Sequence, residues 1–171
     1  MSLDEYAEKL QHADEAERTY AAEDIGYGNA PEGVPVLLDR LGREPSRAVR
    51  DAIFQALIRI DADAAIEGSI GLLASDDPQV RNQAVDVLRR KDARATPFLA
   101  AAMRDGDKDI RKLVLDVLSG IQADGVGEIY AAALSDADVN VAITAADRPL
   151  GWLATMRRQM PANRSRRRPA M

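Results

Sequence analysis

The sequence predicts an all-α protein, an α-α superhelix of about four to five stacked helix pairs. Three observations predict it. An aliphatic residue followed by arginine recurs at intervals of 31 and 30 residues, at Val49-Arg50, Val80-Arg81 and Ile110-Arg111. Four residues after each aliphatic stands Ile53, Ala84 or Val114, and eight after it Leu57, Leu88 or Leu118, a spacing that traces one face of a helix. The composition is alanine-rich and 46% hydrophobic but only 4% aromatic, which suits close helix contacts better than sheet pairing. A helix pair of about thirty residues cannot hide its apolar stripe alone, whereas stacked pairs share a continuous core.

Taken in order, residues 3–12 read as a helix leading into ERTYAAEDIG (17–26), where Arg18 and Ile25 occupy the places of Arg81 and Leu88. This is a partial first unit over 3–26. Four repeats follow, at about 31–60, 62–91, 93–121 and 123–148. In the first three, the leading helix ends at an apolar anchor, Leu41, Leu73 or Met103, with Val36, Gly68 and Phe98 five residues earlier. Pro35 and Pro97 fit a first helical turn, where the missing N–H has no helical partner in any case. The turns GREPS, SDDP and RDGDKD supply helix-capping residues. Phe54 and Phe98 are expected in the core, Tyr20 and Tyr27 flank the first unit, and Gly120, Gly125 and Gly127 read as breaks between helices.

The fourth repeat keeps the period, with Val141 lying 31 residues after Ile110 and Leu134 as its anchor, but Ala142 replaces the arginine and Pro149 the leucine. A proline there ends the helix near Arg148. The segment PLGWLATMRRQM reads as a cap helix over 149–160, with Leu150, Leu153 and Met156 inward and Trp152 either capping the last repeat or exposed as a contact. It closes a single domain of residues 1–160. The remainder, 161–171, is polar, basic and proline-bearing, and is expected to be disordered in isolation.

The x-V-R-x-x-A-V-x-x-L helix, the acidic turn before it and the thirty-one-residue period resemble HEAT-like repeats, of the short bacterial type also found in phycobilin lyases. The resemblance covers residues 17–147. It implies a structural part for the recurrent arginine: Arg50, Arg81 and Arg111 are expected to form a ladder with acids of adjacent turns, such as Asp76, Asp77, Asp105 or Asp107. It also implies that the second helix of each pair lines the concave side. There, two and six residues past each aliphatic, stand Asp51 and Gln55, Asn82 and Asp86, and Lys112 and Asp116, with Ile58, Arg89 and Ser119 nine past it. Such a ladder is polar and mainly acidic, and suits a basic or amide-rich polypeptide better than a phosphate backbone.

Composition removes several function classes. With no cysteine and His12 the only histidine, disulfides, thiolate chemistry and histidine metal clusters are excluded, and no cofactor or metal is expected. No run of eighteen apolar residues is present to span a membrane. The start, MSLDEYAEKL, is acidic and lacks the apolar stretch of a secretory signal, so a cytoplasmic location is expected. There is no glycine-rich phosphate loop and no G-x-S-x-G. Paired carboxylates such as Asp86 and Asp116 could in principle support acid–base work, but nothing in alanine-rich helices recesses them, so no enzyme is expected.

All 28 acidic residues lie at or before Asp147 against 16 basic ones, a net −12, whereas the last 24 residues carry seven arginines and no acid. An acidic body repels nucleic acid, leaving at most a weak, salt-sensitive contact through the arginine tail. The expected function is a non-catalytic protein–protein interaction module, an adaptor or scaffold. The alternative that the resemblance implies is a phycobilin-lyase-like chaperone or lyase subunit acting on a chromophore protein.

Overall fold

Every second helix of a pair starts at a short side chain that closes its own first turn. Asp14, Ser46, Asp77, Asp107 and Asp138 are the N-caps, each four residues before the place of the recurrent arginine. The four aspartates accept the backbone N–H two residues on, and Ser46 Oγ accepts that of Val49. One orphan amide is satisfied per helix and the register of each turn is fixed. The helices that result are α1 (Leu3–Leu10), α2 (Glu15–Tyr27), α3 (Val34–Leu41), α4 (Arg47–Arg59), α5 (Asp63–Gly71), α6 (Pro78–Lys91), α7 (Thr96–Ala102), α8 (Lys108–Ser119), α9 (Val126–Ala133) and α10 (Val139–Ala146). The computed structural model describes residues 3–147, so Pro149, the cap helix expected over 149–160 with Trp152, and the tail at 161–171 lie outside the described residues.

The helices pair as α1/α2, α3/α4, α5/α6, α7/α8 and α9/α10, and the pairs stack in chain order. The second helices form one layer, α2 on α4 on α6 on α8 on α10, and α1, α3, α5 and α7 follow one another in the other. The first unit is therefore a complete pair rather than a partial one. Val49, Ile53, Leu57, Ala84, Leu88, Val114 and Leu118 are fully buried, as their four-residue spacing predicts, and Ile110 is half-buried. Phe54 is core, and Tyr130 is buried with its hydroxyl donating to the Leu115 carbonyl.

The first helices depart from the expected register. Leu37, Ser69 and Leu99 are buried, whereas their neighbours Val36, Gly68 and Phe98 are half-buried. Helices of eight, nine and seven residues hold too few turns for a sequence period to set their phase. Each also adjoins a 3-10 turn, at Pro31–Gly33, Leu72–Ala74 or Asp92–Ala95, whose tighter winding rotates the inward face. Leu134 is a second departure: the anchor role falls to Ala133, and Leu134 is 51% exposed because no further pair follows it among the described residues. Gly120 caps α8 and Gly125 caps α9 with a left-handed φ of 86°, but Gly127 lies inside the first turn of α9.

A second set of ties joins the pairs where one unit hands over to the next. Asn29, in left-handed backbone at φ 48°, accepts the Asp61 N–H at 2.6 Å, and Asp61 pairs with Arg94, which also meets Asp63 at 2.9 Å. Lys91 donates to the carbonyls of Ile58 and Ile60, at 2.9 and 2.5 Å, which closes the C-terminus of α4 from the neighbouring repeat. Burial pulls the Lys91 ammonium below its ordinary pKa, with Asp61 acting against that. These ties span 31 to 33 residues, one repeat each.

Candidate functional site

The recurrent arginine first ties down its own turn. The Nη1 groups of Arg18, Arg81 and Arg111 each donate to two backbone carbonyls, six and five residues upstream: His12 and Ala13, Ser75 and Asp76, Asp105 and Gly106. Both bonds leave one nitrogen, one N–H to each carbonyl, so at Arg18 and Arg111 Nε and Nη2 stay available for a second partner, which a lysine with its single nitrogen does not offer. The remaining N–H groups reach the turn of the following repeat. Arg18 meets Glu44 at 2.9 Å, Arg50 meets Asp77 at 3.3 Å, and Arg111 meets Asp136 at 2.7 Å.

The partners differ from those expected at two rungs. Arg111 joins Asp136 rather than Asp105 or Asp107, because the reach is forward to the next turn and its contact with Asp105 is through the backbone. Arg81 forms no ion pair with a carboxylate among the described residues. A cleft of about 620 Å³ lies at that rung, lined in part by Arg81, Asp107, Asp109, Lys112 and Asp116. The Lys112 ammonium, 2.6 Å away, holds Asp109 below the usual carboxylate pKa, so this pair stays charged.

Burial ranks the rungs. The Arg111 and Asp136 side chains are 12% and 11% exposed, and the hydrogen bonds from Arg111 and from the Asp138 amide hold Asp136 below its ordinary pKa. Asp77 is far more open. Asp77→Asn keeps the capping oxygen and is expected to change stability by less than about 1 kcal/mol. Asp136→Asn should lower the denaturation midpoint clearly more, measured side by side in urea. Equal midpoints for the two variants would show that rung burial does not matter.

The residues expected along the second-helix face divide into two sets. Asp51, Arg89 and Lys112 are half-buried and engaged: Asp51 accepts from Gln83 at 2.8 Å, Arg89 meets Asp116 at 3.0 Å, and Lys112 is held by Asp109. Gln55, Asn82, Asp86 and Asp116 are exposed. Among the described residues Asp86 makes no ion pair. The column six residues past each aliphatic continues beyond the three repeats that define it, to Glu23 on α2 and Asp147 after α10. It thus reads Glu23, Gln55, Asp86, Asp116, Asp147, one position per second helix. Sequence reasoning missed the two ends, although the places of Arg18 and Ala142 in the frame mark them. It also missed Tyr20 and Tyr27 as exposed side chains of α2, with Arg59 stacked 4.5 Å from the Tyr27 ring centre.

No group of histidine, cysteine or carboxylate side chains able to hold a metal is found among the described residues, and no described helix is long and apolar enough to cross a membrane. No curated protein matches the chain. Solved structures similar to it include the complex of CpcE and CpcF of phycocyanin lyase from Nostoc sp. PCC7120. That likeness is at 24% identity and a TM-score of 0.47, over 85% of this chain and 63% of that one. The archaeal HEAT-like repeats protein from Thermococcus onnurineus NA1 is similar at 16% identity and a TM-score of 0.45, over 84% of this chain and 67% of that one. The HEAT repeats pattern itself matches residues 3–89, just over half of the sequence and the whole of α1 through α5. The chain belongs to the HEAT repeat family.

Proposed function

We propose that this chain is a non-catalytic adaptor that holds an extended, basic segment of a partner protein along the face of its second helices. One observation carries the reading: the column Glu23, Gln55, Asp86, Asp116, Asp147 sets an acid at four of five equivalent places, and its members from Gln55 to Asp147 are exposed. Successive second helices pack about 8–10 Å apart, close to three residues of extended chain. A lysine or arginine at every third position of a bound strand would therefore meet one place of the column per repeat, an acid at each except Gln55. The net −12 of residues 1–147 adds long-range attraction for the same ligand. Asp86 is exposed and outside the cleft, and Asp116, on the cleft's lining, is exposed and already met by Arg89, so both serve recognition better than proton transfer.

The test is fluorescence anisotropy with a labelled octapeptide of alternating lysine and arginine, against a glutamate-rich peptide of equal length. Binding of the basic peptide alone is expected, weakening steadily with salt. The double variant Asp86→Lys/Asp116→Lys should weaken it roughly tenfold, since each exposed pair is worth about 1 kcal/mol or less. Circular dichroism should show an intact helical fold. Unchanged affinity in the folded double variant overturns the proposed face.

A further inference from the structure

The last pair ends the described chain on a face built like an inner one. Leu134, Val139 and Ile143 are 51%, 66% and 52% exposed. Equivalent places in earlier repeats show which way that face looks. Leu134 takes the position of Leu41 and Leu73, both buried. Val139 stands where Lys108 reaches Asp138 of the next pair at 3.7 Å. Ile143 stands where Asp51 accepts a hydrogen bond from Gln83 of the next pair. All three therefore look toward the place of a sixth pair. Helix α10 carries no charged residue from Val139 to Ala146, and its polar side chains are Asn140 and Thr144 alone. A terminal repeat that ends a stack in water normally has a polar outer face, and this one does not.

Twenty-four residues follow Asp147, and they begin with the chain's strongest remaining apolar pattern. Laid out at helical spacing, Leu150, Trp152, Leu153, Met156 and Met160 fall on one side of residues 149–160, with Arg157 near the edge of that side next to Leu150 and Arg158 opposite. The segment starts two residues after Asp147, beside the face, so reach sets no limit on it. We propose that residues 149–160 cover the apolar end of α9 and α10, seating Trp152 against Leu134, Val139 and Ile143. The covering segment takes the place of a sixth pair and ends the stack, with Arg157 at the rim of the covered face, its stem on apolar surface and its charge in water, and the other arginines from Arg148 onward on the outer side or beyond it. This inference is independent of the partner face proposed above.

Trp152 is the only tryptophan, which makes it a direct reporter. In the full chain its emission should lie to the blue of the same chain unfolded in guanidinium, and acrylamide should quench it several-fold less. Neither value should change on hundredfold dilution. In Leu134→Glu/Ile143→Glu both should move to the unfolded-chain values while helical circular dichroism persists. Should that variant fail to fold, Leu153→Glu/Met156→Glu alters only the covering segment and should give the same loss of protection. Three results overturn the proposal: wild-type emission already equal to that of the unfolded chain; emission unchanged in the folded variants; or protection that disappears on dilution together with a halving of mass in sedimentation, which would assign the face to a second copy.

Discussion

Glu44→Ala is expected to destabilise the protein by about 3 kcal/mol. The Glu44 side chain is fully buried, at 0% exposure, between the first two pairs. It accepts Arg18 Nε at 2.9 Å and Arg18 Nη2 at 3.0 Å, Arg40 at 2.6 Å, and the Ser46 amide at 2.9 Å. Removing the carboxylate leaves the Arg18 guanidinium, itself largely buried, without its counter-charge. It also frees the turn that starts α4. Breaking one side of a buried pair costs far more than the pair is worth against an apolar substitute, because the surviving charge stays desolvated.

The same site sets a pH dependence. Burial pushes the Glu44 carboxyl up, but the hydrogen bonds from Arg18, Arg40 and the Ser46 amide outweigh it and hold the group at about 2, against 4.5 for an ordinary glutamate. A carboxyl depressed in the folded state contributes its full stability above the unfolded value and loses it as the pH falls toward the folded one. The gap in unfolding free energy between wild type and Glu44→Ala should therefore be constant above about pH 5.5 and shrink by more than half by about pH 3. Urea titrations at pH 6 and pH 3 measure both. An equal gap at the two pH values would mean that Glu44 acts by packing and not by charge.

This triad shows where reading the sequence stops. The stripe Val49, Ile53, Leu57 and its counterparts were legible because a thirteen-residue helix such as α4 contains several turns of one period, and burial answers to that period. The arginine column was equally visible. Its partners were not, because an ion pair spanning 25 to 27 residues depends on which way a side chain leans between repeats, and that is decided only when the pairs stack. Glu44 looks like any acid in a polar turn until Arg18 and Arg40 converge on it. The ties through Asn29, Asp61, Lys91 and Arg94 escaped for the same reason: each contact is one repeat long and carries no local pattern. On the face, Asp86 and Gln55 could be placed from the frame, but nothing local distinguishes them from Asp51, which the neighbouring Gln83 occupies. Leu134 misled because the frame that makes it an anchor presumes a following pair.

Gly26→Leu should cost about 3 kcal/mol, through backbone contact that cannot yield. A Cβ built on Gly26 would lie 2.7 Å from Ala56 Cα and 3.0 Å from its Cβ, and both atoms belong to the body of α4. Ala22, Ala52 and Ala56 are buried with it, so α2 and α4 meet along small side chains and approach more closely than leucine-lined helices can. Even Gly26→Ala must push the helices apart. Its gain of about 1 kcal/mol in helix propensity should not offset that, leaving a net loss of about 1–2 kcal/mol. Gly68 is the control. There the obstructing atom is Leu38 Cδ1 at 2.6 Å, the end of a side chain that can turn aside, so Gly68→Ala should fall within about 1 kcal/mol of wild type. Thermal or urea midpoints of the three variants decide the matter, and a stabilising Gly26→Ala would refute the close seam. The seam also matters to the proposed face. Glu23 and Gln55 lie on the two helices it joins, where the proposed partner strand would cross from one to the other. A folded Gly26→Ala protein should therefore bind the basic octapeptide more weakly than wild type while Gly68→Ala does not, because only the first changes the spacing between successive places in the column.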